Sequence, residues 1–135
     1  MVVVGEWQYD QVCATTYTTL ENYRGVLYVD TTQFPQWSDY NCVIVVFLWK
    51  SSTSEQLWVD TTLVQSNVYS FNVDSLNSWD ILLVVRMAEG STAPYSWENR
   101  WNQTSEISTS SFTSGNYNTI YITGWENSNY VLGTR

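Results

Sequence analysis

The chain has 135 residues and a formal net charge of −8, and it contains no histidine and 2 cysteines. Its excess of negative charge disfavours nucleic acid and acidic lipid surfaces as partners. Without histidine, neither a serine–histidine nor a cysteine–histidine catalytic site can form. Aromatic residues are abundant at 16% and include 8 tryptophans, so their placement is the main question that the composition raises.

Runs of β-branched and aromatic residues, separated by polar turn residues, predict an all-β domain. Two of these runs, residues 42–50 and 80–87, are apolar on both faces, which is typical of central strands between packed layers. The expected hairpin partner of residues 42–50 is the segment 56–61. The sequence therefore predicts a two-layer antiparallel β-sandwich, immunoglobulin-like or jelly-roll-like. In chain order, the predicted strands cover residues 2–7, 25–32, 42–50, 56–61, 68–73, 80–87, 105–110, 118–125 and 130–133.

The beginning of the chain fits this pattern least well. Residues 1–19 are interpreted as an N-terminal extension or an added strand, and residues 20–135 as the sandwich domain. An extended arm can complete the sheet of a neighbouring subunit through main-chain hydrogen bonds. This gives one functional hypothesis, in which the domain assembles into an extracellular filament or surface layer through residues 1–19.

No apolar run approaches the roughly 20 residues that a membrane-spanning helix needs. The opening "MVVVGEW" has no basic residue and too short an apolar run to predict a signal peptide. The abundance of aromatic residues with threonine, serine and asparagine suits a glycan-binding surface. We therefore expect an extracellular or cell-surface location, with a leader removed upstream, and an intracellular domain is the alternative.

Catalysis would have to rely on carboxylates, since histidine is absent. Asp30, Asp60, Asp74 and Asp80 lie at the ends of predicted strands, where aspartate ordinarily serves turns. Their spacing singles out no acid and base, so the sequence predicts that the protein is not an enzyme. It also predicts no cofactor. A structural calcium ion stays open but unassigned, because no loop alternates acidic ligands.

An aromatic-rich loop lies between residues 86 and 107. Indole rings stack on the weakly apolar face of a sugar, while amide groups take its hydroxyls. We expect Tyr95 and Trp97 to be available to a ligand or a second subunit. Trp101, with Gln103 and Thr104, is expected to anchor the crossing between the sheets. The alternative is that these rings only fill the core.

Arg86 ends an apolar run, "ILLVV", and a charge at the end of a central strand needs a partner. Glu98 or Asp80 could supply it, and a structural ion pair is the expected role. The loop also holds the sequon Asn102-Gln103-Thr104, which would permit N-glycosylation of Asn102 in a eukaryotic secretory pathway.

The two cysteines, Cys13 and Cys42, are too few for a zinc site. They could form one disulfide, which would close a loop of about 30 residues and stabilise the fold by about 3 kcal/mol. The alternative is two reduced, buried thiols.

Several motifs together resemble a known family. "GVLYVDTTQFPQW", "VIVVFLWKSSTSEQLW", "VYSFNV", "WDILLVVRM", "WNQTSEI" and "NTIYITGW" follow the order seen in starch-binding-like carbohydrate-binding modules of the families numbered 25 and 26. The resemblance implies an α-glucan ligand. It also implies that binding rings come from the first strand, the loop after it and the next strand. Carried over by position, these rings are Tyr28, Trp37 and Trp49, and Gln103 is a secondary candidate.

Together these observations predict a non-catalytic module for a neutral polysaccharide, most simply an α-glucan such as starch. The affinity should be weak, roughly micromolar to millimolar, because a shallow stacking site buries little area. The self-assembling structural domain is the alternative.

Overall fold

The computed structural model describes residues 25–135, which fold into two β-sheets. The predictions for residues 2–7 and for residues 1–19 as an extension or subunit-joining strand lie outside the described residues. Within residues 25–135, the predicted all-β sandwich is confirmed.

Ten strands are formed in this part of the chain, and every strand predicted there has a counterpart. Residues 105–110, however, form only a two-residue strand. The strands are β1 Val26–Asp30, β2 Val43–Lys50, β3 Glu55–Asp60, β4 Thr62–Gln65, β5 Val68–Asn72, β6 Ile81–Met87, β7 Arg100–Gln103, β8 Ile107–Ser108, β9 Thr119–Ile122 and β10 Tyr130–Gly133.

The first sheet has the order β10–β9–β1–β5–β4. Its middle strand, β1, runs antiparallel to β5 and parallel to β9, which is the one parallel pairing among the described strands. Leu27 and Val29 of β1 point inward, since side chains alternate along a strand, and both are almost fully buried. The strand β4 forms one edge of this sheet.

The second sheet has the order β3–β2–β6–β7, and β8 also pairs with β6. β2 and β6 are therefore interior strands, as their apolar character on both faces predicts. Val46 and Leu48 of β2 face the core between the sheets, whereas Val45 and Phe47 belong to a separate apolar cluster. The expected β2–β3 hairpin is confirmed.

The main core lies between the two sheets and unites side chains of both. Each fully buried aliphatic or phenylalanine side chain contributes about 1.5–3 kcal/mol relative to an exposed one. The most deeply buried members of the main core include Leu27, Val29, Val46, Leu48, Leu76, Leu82, Val84, Phe112 and Ile120.

Two strands, β4 and β7, have no counterpart in the sequence prediction. β4 follows β3 after the single residue Thr61, and there the chain passes from the second sheet to the first. The Thr61 hydroxyl donates to the Ile44 carbonyl at 2.6 Å and fixes this crossing. Both strands are short and exposed, so main-chain pairing forms them without an alternating apolar pattern.

Within residues 25–135, helical structure is confined to short segments. These are 3₁₀ turns at Pro35–Ser38, Leu76–Ser78 and Trp97–Asn99, and one α-helical turn, α1, at Ser110–Thr113. No helix within residues 25–135 is long and apolar enough to cross a membrane.

Candidate functional site

Trp37, expected to be a stacking ring, lies in the core. Its side chain is only 2% exposed and packs with the main cluster between the sheets. The expectation of an exposed ring at this position is therefore corrected. The short turn Pro35–Ser38 directs the indole inward, where burying its large apolar surface stabilises the fold.

The other two rings carried over from the family resemblance lie on different sheets. Tyr28, on β1 of the first sheet, is half-buried, and the Arg135 guanidinium lies 5.1 Å from its ring centroid. Trp49, on β2 of the second sheet, is half-buried against the separate apolar cluster that includes Val45 and Phe47. Tyr28, Trp37 and Trp49 thus do not form a common patch.

Four rings cover part of the outer face of the second sheet, and we call this group the aromatic cap: Phe47, Trp58, Tyr95 and Trp97. Ring centroids of Phe47 and Trp97 are 5.0 Å apart, and those of Trp58 and Trp97 are 4.9 Å apart. The tilted and edge-on contacts are those that aromatic pairs prefer when they pack together. The cap is thus mainly a packing device, and it explains why Phe47 is buried on the outer face of β2.

Tyr95 is pinned to the edge of this cap. Its phenol donates a hydrogen bond to the Asp60 carboxylate at 2.6 Å. Burial and the Asp60 carboxylate raise the pKa of Tyr95 to about 12. The ring expected to be available for a ligand therefore holds the loop to β3.

Trp97 is the outermost ring of the aromatic cap at 37% exposed. The Arg100 guanidinium lies 5.6 Å from its ring centroid and also donates to the Gln103 side chain at 2.5 Å. Gln103 is thus close to Trp97 only through Arg100. Of the predicted ligand-binding residues, Trp97 and Gln103 share this region, and the Trp97 indole is partly exposed.

A second aromatic feature is formed by one indole of β7 and one indole of the turn between β9 and β10. Trp101 is 44% exposed and Trp125 is 45% exposed, and we call these two residues the tryptophan pair. The expectation that Trp101 anchors the crossing between the sheets is wrong, because its ring lies at the surface. Thr104 does have the anchoring role, since it is buried and its hydroxyl accepts from the Val84 amide at 3.0 Å.

A β-bulge explains why Trp101 is exposed. Arg86 of β6 pairs with Asn102, and the next residue, Met87, pairs with Arg100, so Trp101 is the extra residue on β7. A bulge bends its strand and redirects the side chain at that point. β7 therefore contributes its indole to the surface.

Arg86 joins the two indoles of the tryptophan pair. Its guanidinium carbon lies 4.9 Å from the Trp101 ring centroid and 5.3 Å from that of Trp125. Contacts of this kind are worth about 0.5–2 kcal/mol, more when they are desolvated. Arg86 is only 5% exposed, so a single buried charge holds one ring from each side of the sandwich.

The guanidinium is itself fixed by uncharged acceptors. Nε donates to the Trp37 carbonyl at 2.7 Å, Nη2 to the Asp39 carbonyl at 3.0 Å, and Nη1 to Asn102 Oδ1 at 2.9 Å. The expected ion pair with Glu98 or Asp80 is not formed. Among the described residues, backbone carbonyls of the loop between β1 and β2 accept from Arg86 in place of these carboxylates.

The turn that carries Trp125 is also rigidly built. Asn129 Oδ1 accepts from the Glu126 amide at 3.0 Å, and the Asn129 amide donates to the Glu126 carbonyl at 2.9 Å. A Cβ at Gly124 would collide with Asn129 Oδ1, so a side chain there would push Asn129 away from its hydrogen bond with the Glu126 amide. The Phe34 ring meets Trp125 edge-on at 5.0 Å. The Trp125 indole is thus held in position by its own turn and by Phe34.

Two predicted modification sites adjoin this region. Cys42 is half-buried, and its thiol donates weakly to the Trp37 carbonyl at 3.5 Å. Burial raises the pKa of this thiol, and the Arg86 guanidinium partly opposes the shift. Because Cys13 lies outside the described residues, the disulfide stays a prediction. N-glycosylation of Asn102 also stays one, and its half-buried amide is engaged by Arg86.

No group of three or more acidic or cysteine side chains that could hold a metal gathers within residues 25–135. Calcium therefore stays unassigned. Asp30 and Asp80, at ends of β1 and β6, hydrogen-bond to Thr32 and Ser51 respectively, which is the turn role expected of them.

Trp125 and Phe34 are not predicted from the sequence to lie beside a site. The signal for Trp125 was available in "TGWENSN", where an indole follows glycine within a polar turn. The contact between Trp125 and Arg86 was not, because it depends on how the two sheets align. Comparisons with known proteins found no matching family model, no matching curated protein and no matching solved structure.

Proposed function

We propose that this domain is a non-catalytic binding module for a neutral polysaccharide and that the tryptophan pair is its binding surface. The observation that carries the proposal is the placement of Trp101 and Trp125, two indoles that are 44% and 45% exposed and that contact one buried guanidinium. Each exposed indole leaves apolar area in contact with water. A ligand that covers both rings removes this area from water, which favours binding.

The chemistry of the pair suits an uncharged sugar chain. Indole faces offer flat apolar area, and the buried Arg86 already has three acceptors, so it does not call for a carboxylate or phosphate. Glu126 and Asn127 in the adjacent turn are exposed and can accept hydrogen bonds from hydroxyls. An α-glucan is the first ligand to test, since the motif order resembles starch-binding modules.

Affinity electrophoresis in gels containing amylopectin tests this proposal directly. The intact chain should be retarded, and Trp101→Ala and Trp125→Ala should each migrate close to the unretarded position. Trp97→Ala removes a comparably exposed indole from the aromatic cap and is the matched control, so it should keep the retardation.

Parallel gels with xylan, a β-glucan and glucomannan decide the sugar class. Retardation in only one of these gels would keep the tryptophan pair as the site and would identify that polysaccharide, instead of an α-glucan, as the ligand. Free migration of the intact protein in every gel would overturn the proposal, as would equal losses in Trp97→Ala and Trp101→Ala.

A second candidate function, self-assembly as a structural subunit, is favoured by one feature of the first sheet. The edge strand β4 has no charged residue or proline, and Leu63 and Val64 on it are 60% and 50% exposed. Exposed apolar edges of this kind promote pairing with another strand. The bulge between Leu63 and Gln65 works against pairing, so this candidate ranks second.

Analytical ultracentrifugation over a wide concentration range tests the second candidate. Concentration-dependent polymers that disappear in Leu63→Lys, and in a variant lacking residues 1–19, would support it. A monomer at every concentration would overturn it and leave the glycan-binding proposal unaffected.

A further inference from the structure

A cleft of about 380 Å³ opens at the far end of β6 from Arg86. It is lined by Asn77, Trp79, Asp80, Ser108, Ser110 and Thr113, among others. Ile81 and Arg86 are five residues apart on β6, which corresponds to about 17 Å along an extended strand. The cleft and the tryptophan pair are therefore separate surfaces.

The walls of the cleft are tied together by backbone contacts. The Thr109 amide donates to the Asp80 carbonyl at 3.0 Å, and the Thr109 hydroxyl donates to the Trp79 carbonyl. β8 pairs with β6 through Ser108 and Ile81. Because the wall residues lie on paired strands and closed turns, the cleft is formed without a ligand.

Asp80 provides a fixed acceptor at the rim of the cleft. Its Oδ2 accepts from the Ser51 amide at 2.7 Å and from the Ser51 hydroxyl at 2.6 Å. These hydrogen bonds lower the pKa of Asp80, so the carboxylate is ionised near neutral pH. No donor among the described residues reaches Oδ1, which is thus free to accept from a ligand.

The remaining lining combines one indole with neutral polar groups. Trp79 is half-buried, and the Lys50 ammonium lies 5.5 Å from its ring centroid. Ser108 and Ser110 share a hydrogen bond at 2.8 Å between their hydroxyls, and the Ser110 amide also donates to Ser108 Oγ at 3.4 Å, so the Ser110 hydroxyl is the one that always retains an accepting lone pair. Lys50 lies near Asp80 but is paired with Glu55 at 3.4 Å, so the preference for an uncharged polyol rests on the indole and the neutral hydroxyl and amide groups of the lining.

We propose that this cleft binds a single hexose ring, with Trp79 against its apolar face and Asp80 accepting from its hydroxyls. Its volume lies at the low end of the range for small-molecule sites, which suits one ring better than a chain. The proposal goes beyond glycan binding at the tryptophan pair and does not rest on it, since the two surfaces share no residue.

Heteronuclear NMR of the full chain tests the cleft, with methyl α-D-glucopyranoside, methyl β-D-galactopyranoside and methyl α-D-mannopyranoside as probes. The Trp79 indole N–H signal is identified by its loss in Trp79→Phe. At least one probe should shift this signal and the Asn77 and Ser110 amides saturably, with a dissociation constant of order millimolar.

Two variants check the assigned roles. Asp80→Asn removes the charge, and Thr113→Val removes one lining hydroxyl with little change in volume. Each should weaken binding about three- to tenfold, while Trp101→Ala should leave the Trp79 shifts unchanged. The proposal is overturned if no probe shifts the Trp79 signal, if the shifts never saturate, or if both cleft variants bind like the intact chain.

The two proposals can fail separately. Loss of the Trp79 shifts with retained amylopectin retardation removes the cleft alone. Free migration in every polysaccharide gel with saturable Trp79 shifts removes the tryptophan pair alone.

Discussion

At the scale of single residues, Arg86 is the side chain that joins the β1–β2 loop to Asn102 and to the two rings of the tryptophan pair. It is the one buried cation among residues 25–135, and it donates to two backbone carbonyls and one side-chain amide. A buried charge is tolerated only when its donors are satisfied, and removing it leaves its acceptors unpaired. Arg86 therefore couples the stability of the fold to the geometry of the tryptophan pair.

Replacing Arg86 should reveal both effects. Arg86→Met keeps the length of the side chain but leaves the Trp37 and Asp39 carbonyls without their donor. We expect a loss of about 3 kcal/mol in the free energy of unfolding, measured by urea denaturation. Arg86→Lys, which keeps the charge without the planar fork, should lose about half as much. A free energy of unfolding unchanged in Arg86→Met would contradict this role.

Tyr95 gives the molecule a specific alkaline response. Its folded pKa of about 12 lies above the ordinary value of 10.0, because the ring is partly buried and its phenol donates to Asp60. A raised folded pKa stabilises the fold fully below the unfolded pKa, and this stabilisation is lost as pH rises toward the folded pKa. The relevant window therefore runs from pH 10 to pH 12.

The comparison of Tyr95→Phe with the intact chain isolates this response from that of the other tyrosines. Below pH 10 the difference in urea midpoint between the two proteins should be constant. Above it, the intact chain should lose stability faster, so the two curves converge. Curves that stay parallel up to about pH 12 would show that the Tyr95 phenol does not titrate as this environment requires.

At the scale of elements, the tryptophan pair depends on two local irregularities. One is the bulge that exposes Trp101, and the other is the β9–β10 turn, in which Asn129 closes the chain around Trp125. Neither irregularity adds to the core. Both set the direction of an indole, which is consistent with a surface built for contact.

Gly124→Ala should disturb this turn specifically. The added methyl group meets the Asn129 side chain, and crowding of this kind costs about 1–3 kcal/mol. We expect the variant to fold, with weakened retardation in amylopectin gels. Gly90→Ala is the matched control. Its added methyl group would meet no atom within 4 Å, and only its positive φ of +84 would strain an alanine. Similar retardation in both variants would contradict a role for the turn.

The elements that the sequence predicted are those with a strong hydrophobic pattern. β2 and β6 are apolar on both faces because both are interior strands, with the main core on one face and a second apolar cluster on the other. β4 and β7 escaped prediction because each has only four residues and lacks an alternating apolar pattern, so main-chain pairing alone forms them. The exposure of the aromatic residues was predicted poorly. Trp37 and Trp101 both lie among polar residues in the sequence, yet Trp37 is buried and Trp101 is exposed.

At the scale of the whole molecule, the tryptophans divide by their surroundings. Trp37 fills the core, Trp97 lies at the edge of the aromatic cap, Trp79 lines the cleft, and Trp101 and Trp125 stand at the surface. A small sandwich needs few large rings to fill its core. The division therefore predicts that stability and ligand binding depend on different tryptophans.

Alanine substitutions at Trp37 and Trp125 test this division in one pair of experiments. Trp37→Ala leaves a large cavity between the sheets and should cost about 3–5 kcal/mol in the free energy of unfolding. Trp125→Ala removes a ring that is already 45% exposed, so it should cost clearly less and abolish retardation in amylopectin gels. Urea denaturation and affinity electrophoresis measure the two losses on the same preparations. If Trp125→Ala destabilised the fold as much as Trp37→Ala, the indole would be a structural support, and its exposure would need a different explanation.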